Sequence, residues 1–294
     1  MSSPTPYRLA LLADVHGNGP ALQAVLDALH AHRPYLLIVA GDLIGGPHQE
    51  EVIARLRDGG ALIVRGNGED YLARLEDGSA PPEWHTHRQF AMGRWAYQNL
   101  RPETLDYLRG LPERVTIELP GAQPVCVFHG APGHTSTHLH PDLNPGRLDR
   151  AWEEIPGASF VCGHSHIPWQ AACDGRLALN PGAVSEPEGG PIEAQFALLD
   201  WDGQRWQPSF HCVPYDLDAF ERDYIQRGVL ATGPLARAHL ANMRRGGSWG
   251  ERFLHHARRL AAERGHAHSR FVPDDIWELA EKTFDWQEDA GARL

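Results

Sequence analysis

Five short polar motifs constrain this chain more than any other feature, because each sits where an apolar run stops. Asp14-Val15-His16 follows LALLA, Gly41-Asp42 follows YLLIVA, and Gly66-Asn67 follows ALIVR. His129-Gly130 follows PVCVF, and Gly163-His164-Ser165-His166 follows FVC. Short continuous apolar runs of this kind read as strands buried on both faces. Two intervening segments, Pro20 to His30 and Gln49 to Arg57, carry helical apolar spacing. The first part of the chain therefore predicts a parallel sheet with crossover helices.

Residues 71 to 113 read as mainly helical and aromatic, with Pro81-Pro82 marking a loop. Closely spaced strands follow: VTIEL, PVCVFHG, SFVCGH, WQAAC, LALNPG, AQFALLDW and WQPSFHCVPY. The α/β (α+β) class, with two packed sheets flanked by helices, fits this succession. After about Tyr215 the pattern turns helical again, in DLDAFERDYIQRG, LARAHLANMRR and DDIWELAEKTFDW. A catalytic domain of residues 1–212 and a helical extension of 213–294 are the expected units.

With 294 residues, 42% of them apolar, the chain has ample material for a core. Arg8 followed by LALLA loosely resembles a signal peptide, but Asp14 interrupts the run too early, so it reads as a first strand. No apolar stretch approaches the ~20 residues of a membrane span. A net charge of -11 argues against an extended nucleic-acid surface, while leaving room for a nucleotide-like ligand in a local pocket. Cys126, Cys162, Cys173 and Cys212 lack paired spacing and read as buried thiols in a reducing cytoplasm.

Carboxylate, imidazole and amide oxygen are suitable donors for Mn²⁺, Fe or Zn²⁺. Strand carboxyl ends are where such donors converge on one crevice. Asp14, His16, Asp42, Asn67, His129, His164 and His166 all stand at such ends, and Asp42 has two oxygens with which to bridge two ions.

The series DVHGN, GDLIGG, RGNGED, FHGAPGH and GHSHIP resembles the calcineurin-like metallophosphoesterase superfamily, and LALNPGAVSEP is similar to a segment of its small bacterial phosphodiesterase branch. The resemblance covers about residues 7 to 212. It implies a four-layer β-sandwich of two mixed sheets with helices outside. It also implies one divalent ion on Asp14, His16 and His166, a second on Asn67, His129 and His164, and Asp42 between them. Mn²⁺ is the expected metal, with Fe, Zn²⁺ or Ni²⁺ as alternatives.

The implied chemistry is phosphodiester hydrolysis, cyclic nucleotides included, by in-line attack of a hydroxide bridging the ions, with Asp42 and Asn67 serving catalysis. The alternatives are a phosphomonoesterase on nucleotides or phosphoproteins, and a non-catalytic scaffold. One departure matters: many relatives carry a histidine after Gly-Asn as proton donor, and here that position is Gly68. Its absence favours leaving groups that need little protonation. His134, His138 and His140 follow His129 in a loop, and His134, nearest in sequence, is the first candidate for the missing acid.

Other positions carry two readings each. Arg65 either steers phosphate or forms a salt bridge on the sheet rim. Asn18 either touches a substrate oxygen or caps the helix before Pro20. His85 and His87 lack a preceding strand and read as non-ligands, and the C-terminal helices offer a surface for homo-oligomer or partner contacts.

Overall fold

Strand β1 (Arg8–Leu12) is apolar on both faces because each face has its own layer to cover. Leu9 and Leu11 enter the core between the sheets, whereas Ala10 and Leu12 enter the core beneath the outer helices. Strand β5 (Val125–Phe128) divides likewise, with Val125 and Val127 facing inward and Cys126 and Phe128 outward. The computed structural model describes residues 7–287.

The remaining strands are β2 (Leu36–Val39), β3 (Leu62–Ile63), β4 (Arg114–Ile117), β6 (Ser159–Val161), β7 (Trp169–Cys173), β8 (Arg176–Asn180), β9 (Ala194–Trp201) and β10 (Trp206–Val213). They form two mixed five-stranded sheets, ordered β10-β9-β1-β2-β3 and β4-β5-β6-β8-β7. The β1–β2 and β2–β3 pairs are parallel, as expected, but β9 and β10 return from late in the chain to extend that sheet antiparallel. The sheets therefore do not divide the chain into a βαβ half and a β-rich half.

Helix α1 (Gly19–His32) starts where Asn18 Oδ1 accepts from Ala21 N (3.1 Å) and stops at Arg33, whose φ is 47°. It buries Leu22, Val25 and Leu29 on the first sheet, each contributing about 1.5–3 kcal/mol. Helices α2 (Gln49–Asp58), α3 (Asn67–Glu76) and α6 (Pro102–Arg109) add Val52, Leu72 and Leu105 to the same layer. The short helices α4 (Pro82–Thr86) and α5 (Ala91–Gln98) lie between α3 and α6 in sequence. Helix α7 (Pro145–Glu154), which the sequence pattern did not reveal, covers the second sheet with Leu148, Ala151 and Trp152.

Helices α8 (Leu217–Gln226), α9 (Pro234–Arg245), α10 (Trp249–Glu263) and α11 (Asp274–Thr283) follow β10. They bury a Trp249, Phe253 and Trp277 cluster of their own. Phe220, Tyr224 and Met243 also pack against Met92 and Trp95, so the extension is joined to the rest by a shared apolar contact. No helix among the described residues is long and apolar enough to cross a membrane. Cys126 and Cys162 are buried, but Cys173 is only partly covered and Cys212 is exposed; all four are free thiols.

Candidate metal centre

The loops leaving β1, β2, β3, β5 and β6 interlock at one end of the sandwich. Asp14 N donates to Gly41 O (3.1 Å), His16 N to Asp42 O (3.0 Å), and Gly163 N to His129 O (2.6 Å). The chain turns sharply at each of these strand ends. Asp14, His16, Asp42, His164 and His166 all have positive φ, between 44° and 69°, a conformation costing on the order of 1–3 kcal/mol each. Five non-glycine residues in that region are maintained only because the surrounding hydrogen bonds over-determine them.

The glycines of two motifs are there for space. A Cβ on Gly66 would lie 2.1 Å from Asp42 Oδ1, and one on Gly41 would lie 2.8 Å from His129 Nδ1. Gly66 itself is extended, with φ −97° and ψ −178°, so close approach rather than an unusual backbone demands glycine there.

All seven predicted donors come together. Asp14, His16 and His166 form one group and Asp42, His129 and His164 another, with the donor atoms of each group within 4.8 Å of one another. Asp42 Oδ2 lies 3.3 Å from His129 Nε2 and 3.9 Å from His16 Nε2, so its carboxylate reaches both groups. Asn67 Oδ1 is 3.0 Å from His129 Nε2.

Three of the imidazoles are anchored the same way. Nδ1 of His16, His129 and His166 meets the carbonyl oxygens of Ile44 (3.1 Å), Ala40 (2.6 Å) and Glu186 (2.9 Å). A carbonyl only accepts, so each Nδ1 carries a proton and each Nε2 is the nitrogen turned inward, free to give its lone pair to a bound metal. His16 Nε2 and His166 Nε2 face one another at 3.2 Å, so a proton or a cation has to lie between them. A cation satisfies that pair, and the donor set of nitrogen and oxygen fits a divalent metal.

Electrostatics agree. Burial alone would raise Asp14 and Asp42, but the neighbouring imidazoles outweigh it and hold both carboxyls below their usual range. Burial opposes charge on His129 and His166 as well, yet the carboxylates raise them to about 9 and about 10. Without metal, protons sit where cations would bind. His164, desolvated and beside His129, is pushed down to about 3.

Several residues of the centre were not identified from the sequence. Glu69, 1% exposed, accepts from Asp42 N (3.0 Å), Leu43 N (2.9 Å) and Gly66 N (2.8 Å). Burial and the Asp42 charge push its carboxyl up to about 7. Glu three residues after Gly66 at a helix start is a capping-box signature that could have revealed it. His134 is exposed, with its backbone paired to Ala131 (2.9 Å). His138 instead stands edge-on to His164, ring centroids 4.3 Å apart. His140 Nδ1 accepts from Asp142 N (3.1 Å). Arg65 is paired with Asp70 (2.6 Å) and Glu113 (2.7 Å), and Asn18 is the helix cap as well as a donor to Ser185 Oγ (3.1 Å). His85 is exposed, and His87 packs edge-on to Phe271.

A sandwich of two mixed sheets with this donor set at its strand ends defines a metal-dependent phosphoric ester hydrolase. The profile of the calcineurin-like phosphoesterase superfamily domain matches residues 7–204. The chain belongs to the calcineurin-like phosphoesterase superfamily, whose members act on small phosphate esters. It is 27% identical over 208 residues to an uncharacterized protein of Methanocaldococcus jannaschii, covering 65% of this chain and 82% of that protein. A metallophosphoesterase from Sphaerobacter thermophilus superposes with a TM-score of 0.64 at 26% identity, covering 81% of this chain and 99% of the other. A hypothetical protein from Pyrococcus horikoshii shares the fold, with a TM-score of 0.64, 20% identity, and coverage of 76% and 94%.

Proposed function

We propose that the chain hydrolyses phosphodiesters of nucleotide-like size at two divalent cations, Mn²⁺ in the first instance. Asp14, His16 and His166 would hold one ion and Asn67, His129 and His164 the other, with Asp42 shared. The observation that carries this reading is the Asp42 carboxylate between two groups of convergent donors. When bound, the ions supply an activated water and Lewis-acid neutralisation of the phosphoryl oxygens.

The chain's own residues set the rest. Gly68 N donates to Asp42 Oδ1 (2.8 Å), fixing the shared carboxylate, and Gly68 offers no side chain to protonate a leaving group. His138, whose ring stands edge-on to His164, would take the proton-donor role in place of His134. Beside Asn67 opens a cavity of about 450 Å³ lined by Arg65, Tyr71, Arg74, Trp84 and Thr135. A volume of that order suits the second ester substituent of a diester.

With Mn²⁺ present, bis-nitrophenyl phosphate should turn over at least about tenfold faster than the mono-ester, about 1.4 kcal/mol in the barrier. The opposite order of rates would favour the phosphomonoesterase reading, and no hydrolysis of either would leave the scaffold.

A further inference from the structure

Five of the seven donors have positive φ, and among the described residues three other non-glycine positions share it: Arg33, Asp174 and Glu186. Arg33 ends α1 and Asp174 turns between β7 and β8. Glu186, at φ 62°, is instead 4% exposed and lies in the centre's wall. Its carbonyl accepts from His166 Nδ1 (2.9 Å). Its carboxylate is taken by a group 53 residues later: His239 Nδ1 of α9 lies 3.0 Å from Oε1 and 2.9 Å from Oε2.

The segment around Glu186 is held from both sides. Inward, Ser185 N donates to Asp14 O (3.0 Å) and Glu188 N donates to His166 O (3.1 Å). Outward, Ser248 Oγ donates to Glu188 Oε2 (2.8 Å), and Ser185 Oγ lies 3.5 Å from Met243 Sδ. All of these inward contacts go to the Asp14, His16 and His166 group. The second group has separate supports: Ala40 O for His129, and Glu69 for the loops carrying Asp42 and Asn67.

Resting on the two-cation reading above, we propose that the C-terminal helices complete the first cation site, with His239 acting through Glu186 as the positioning residue for His166. A ligand's imidazole must be aimed by whatever holds its other nitrogen, and that partner here is a strained carbonyl. Pairing the Glu186 carboxylate pins the residue in its left-handed conformation. Without the pair, a buried carboxylate loses its His239 donor and the segment relaxes away from His166. The helical extension is then part of the metal centre and not an appendage.

The test is Mn²⁺ binding to the full chain, followed by electron paramagnetic resonance of free Mn²⁺, for wild type, His239→Ala and His239→Gln. Wild type should bind two ions. His239→Ala should weaken one of them by about 10–100-fold and leave the other unchanged. His239→Gln, whose amide still donates to Glu186, should recover most of the loss. Equal weakening of both ions together with a lower melting temperature would make His239 merely structural and overturn the inference. Two-ion binding unchanged in His239→Ala would overturn it alone, whereas a wild-type chain that binds no pair of ions overturns the proposed function along with it.

Discussion

Asp42→Ala should lower hydrolysis of bis-nitrophenyl phosphate by at least about 10³-fold, some 4 kcal/mol in the barrier, while the fold survives. The carboxylate lies within 4 Å of imidazoles in both groups and on the side of the second, so its loss should weaken both ions together. The fold survives because the local costs oppose each other. Gly68 N–H loses its acceptor, at about 1–3 kcal/mol. Against that, removing the Asp42 charge relieves repulsion on both Asp14 and Glu69. Asp42→Asn separates the effects: its amide oxygen can still accept from Gly68, yet it cannot supply the shared negative charge. Asn at 42 should therefore match wild type in circular dichroism and resemble Ala in rate. Activity within tenfold of wild type in either variant would remove Asp42 from the mechanism.

Glu69→Ala should be the most destabilising substitution in the centre. Three buried N–H groups, those of Asp42, Leu43 and Gly66, lose their acceptor at once. At about 1–3 kcal/mol per stranded donor, the three sum to about 3–9 kcal/mol, a large share of a typical 5–15. The melting temperature should fall by roughly 10 °C. Glu69→Gln should not rescue it. Oε2 accepts from Asp42 N and Gly66 N while Oε1 accepts from Leu43 N, so either orientation of an amide sets NH₂ against a backbone donor. A melting temperature within 2 °C of wild type, a shift worth only about 1 kcal/mol, would show that the loops carrying Asp42 and Asn67 do not depend on this carboxylate.

The strands were legible because burial on both faces leaves a mark that survives without an alignment. Leu9 to Leu12 are apolar throughout since alternate residues fill two different cores. The donor residues now proposed as ligands stood out because each lies just beyond such a run. Pairing was not: β9 joins β1 from some 190 positions away, and nothing local in AQFALLDW names its partner. Helix α7 was missed because PGRLDRAWEE buries only three side chains, too few for a clear period. His134 was favoured over His138 by nearness to His129 along the chain. The Ala131–His134 backbone pair reverses that loop, so His134 is left exposed while His138 comes against His164. His239 carried no local signal at all, since its meaning lies in a contact with Glu186 across 53 residues.

Anomalous diffraction from crystals grown with Mn²⁺ addresses the central claim most directly. Two peaks within about 4 Å of each other are expected, one against Asp14, His16 and His166, the other against Asn67, His129 and His164, with Asp42 touching both. A single peak, or a pair of peaks that leaves Asp42 uncoordinated, would contradict the account.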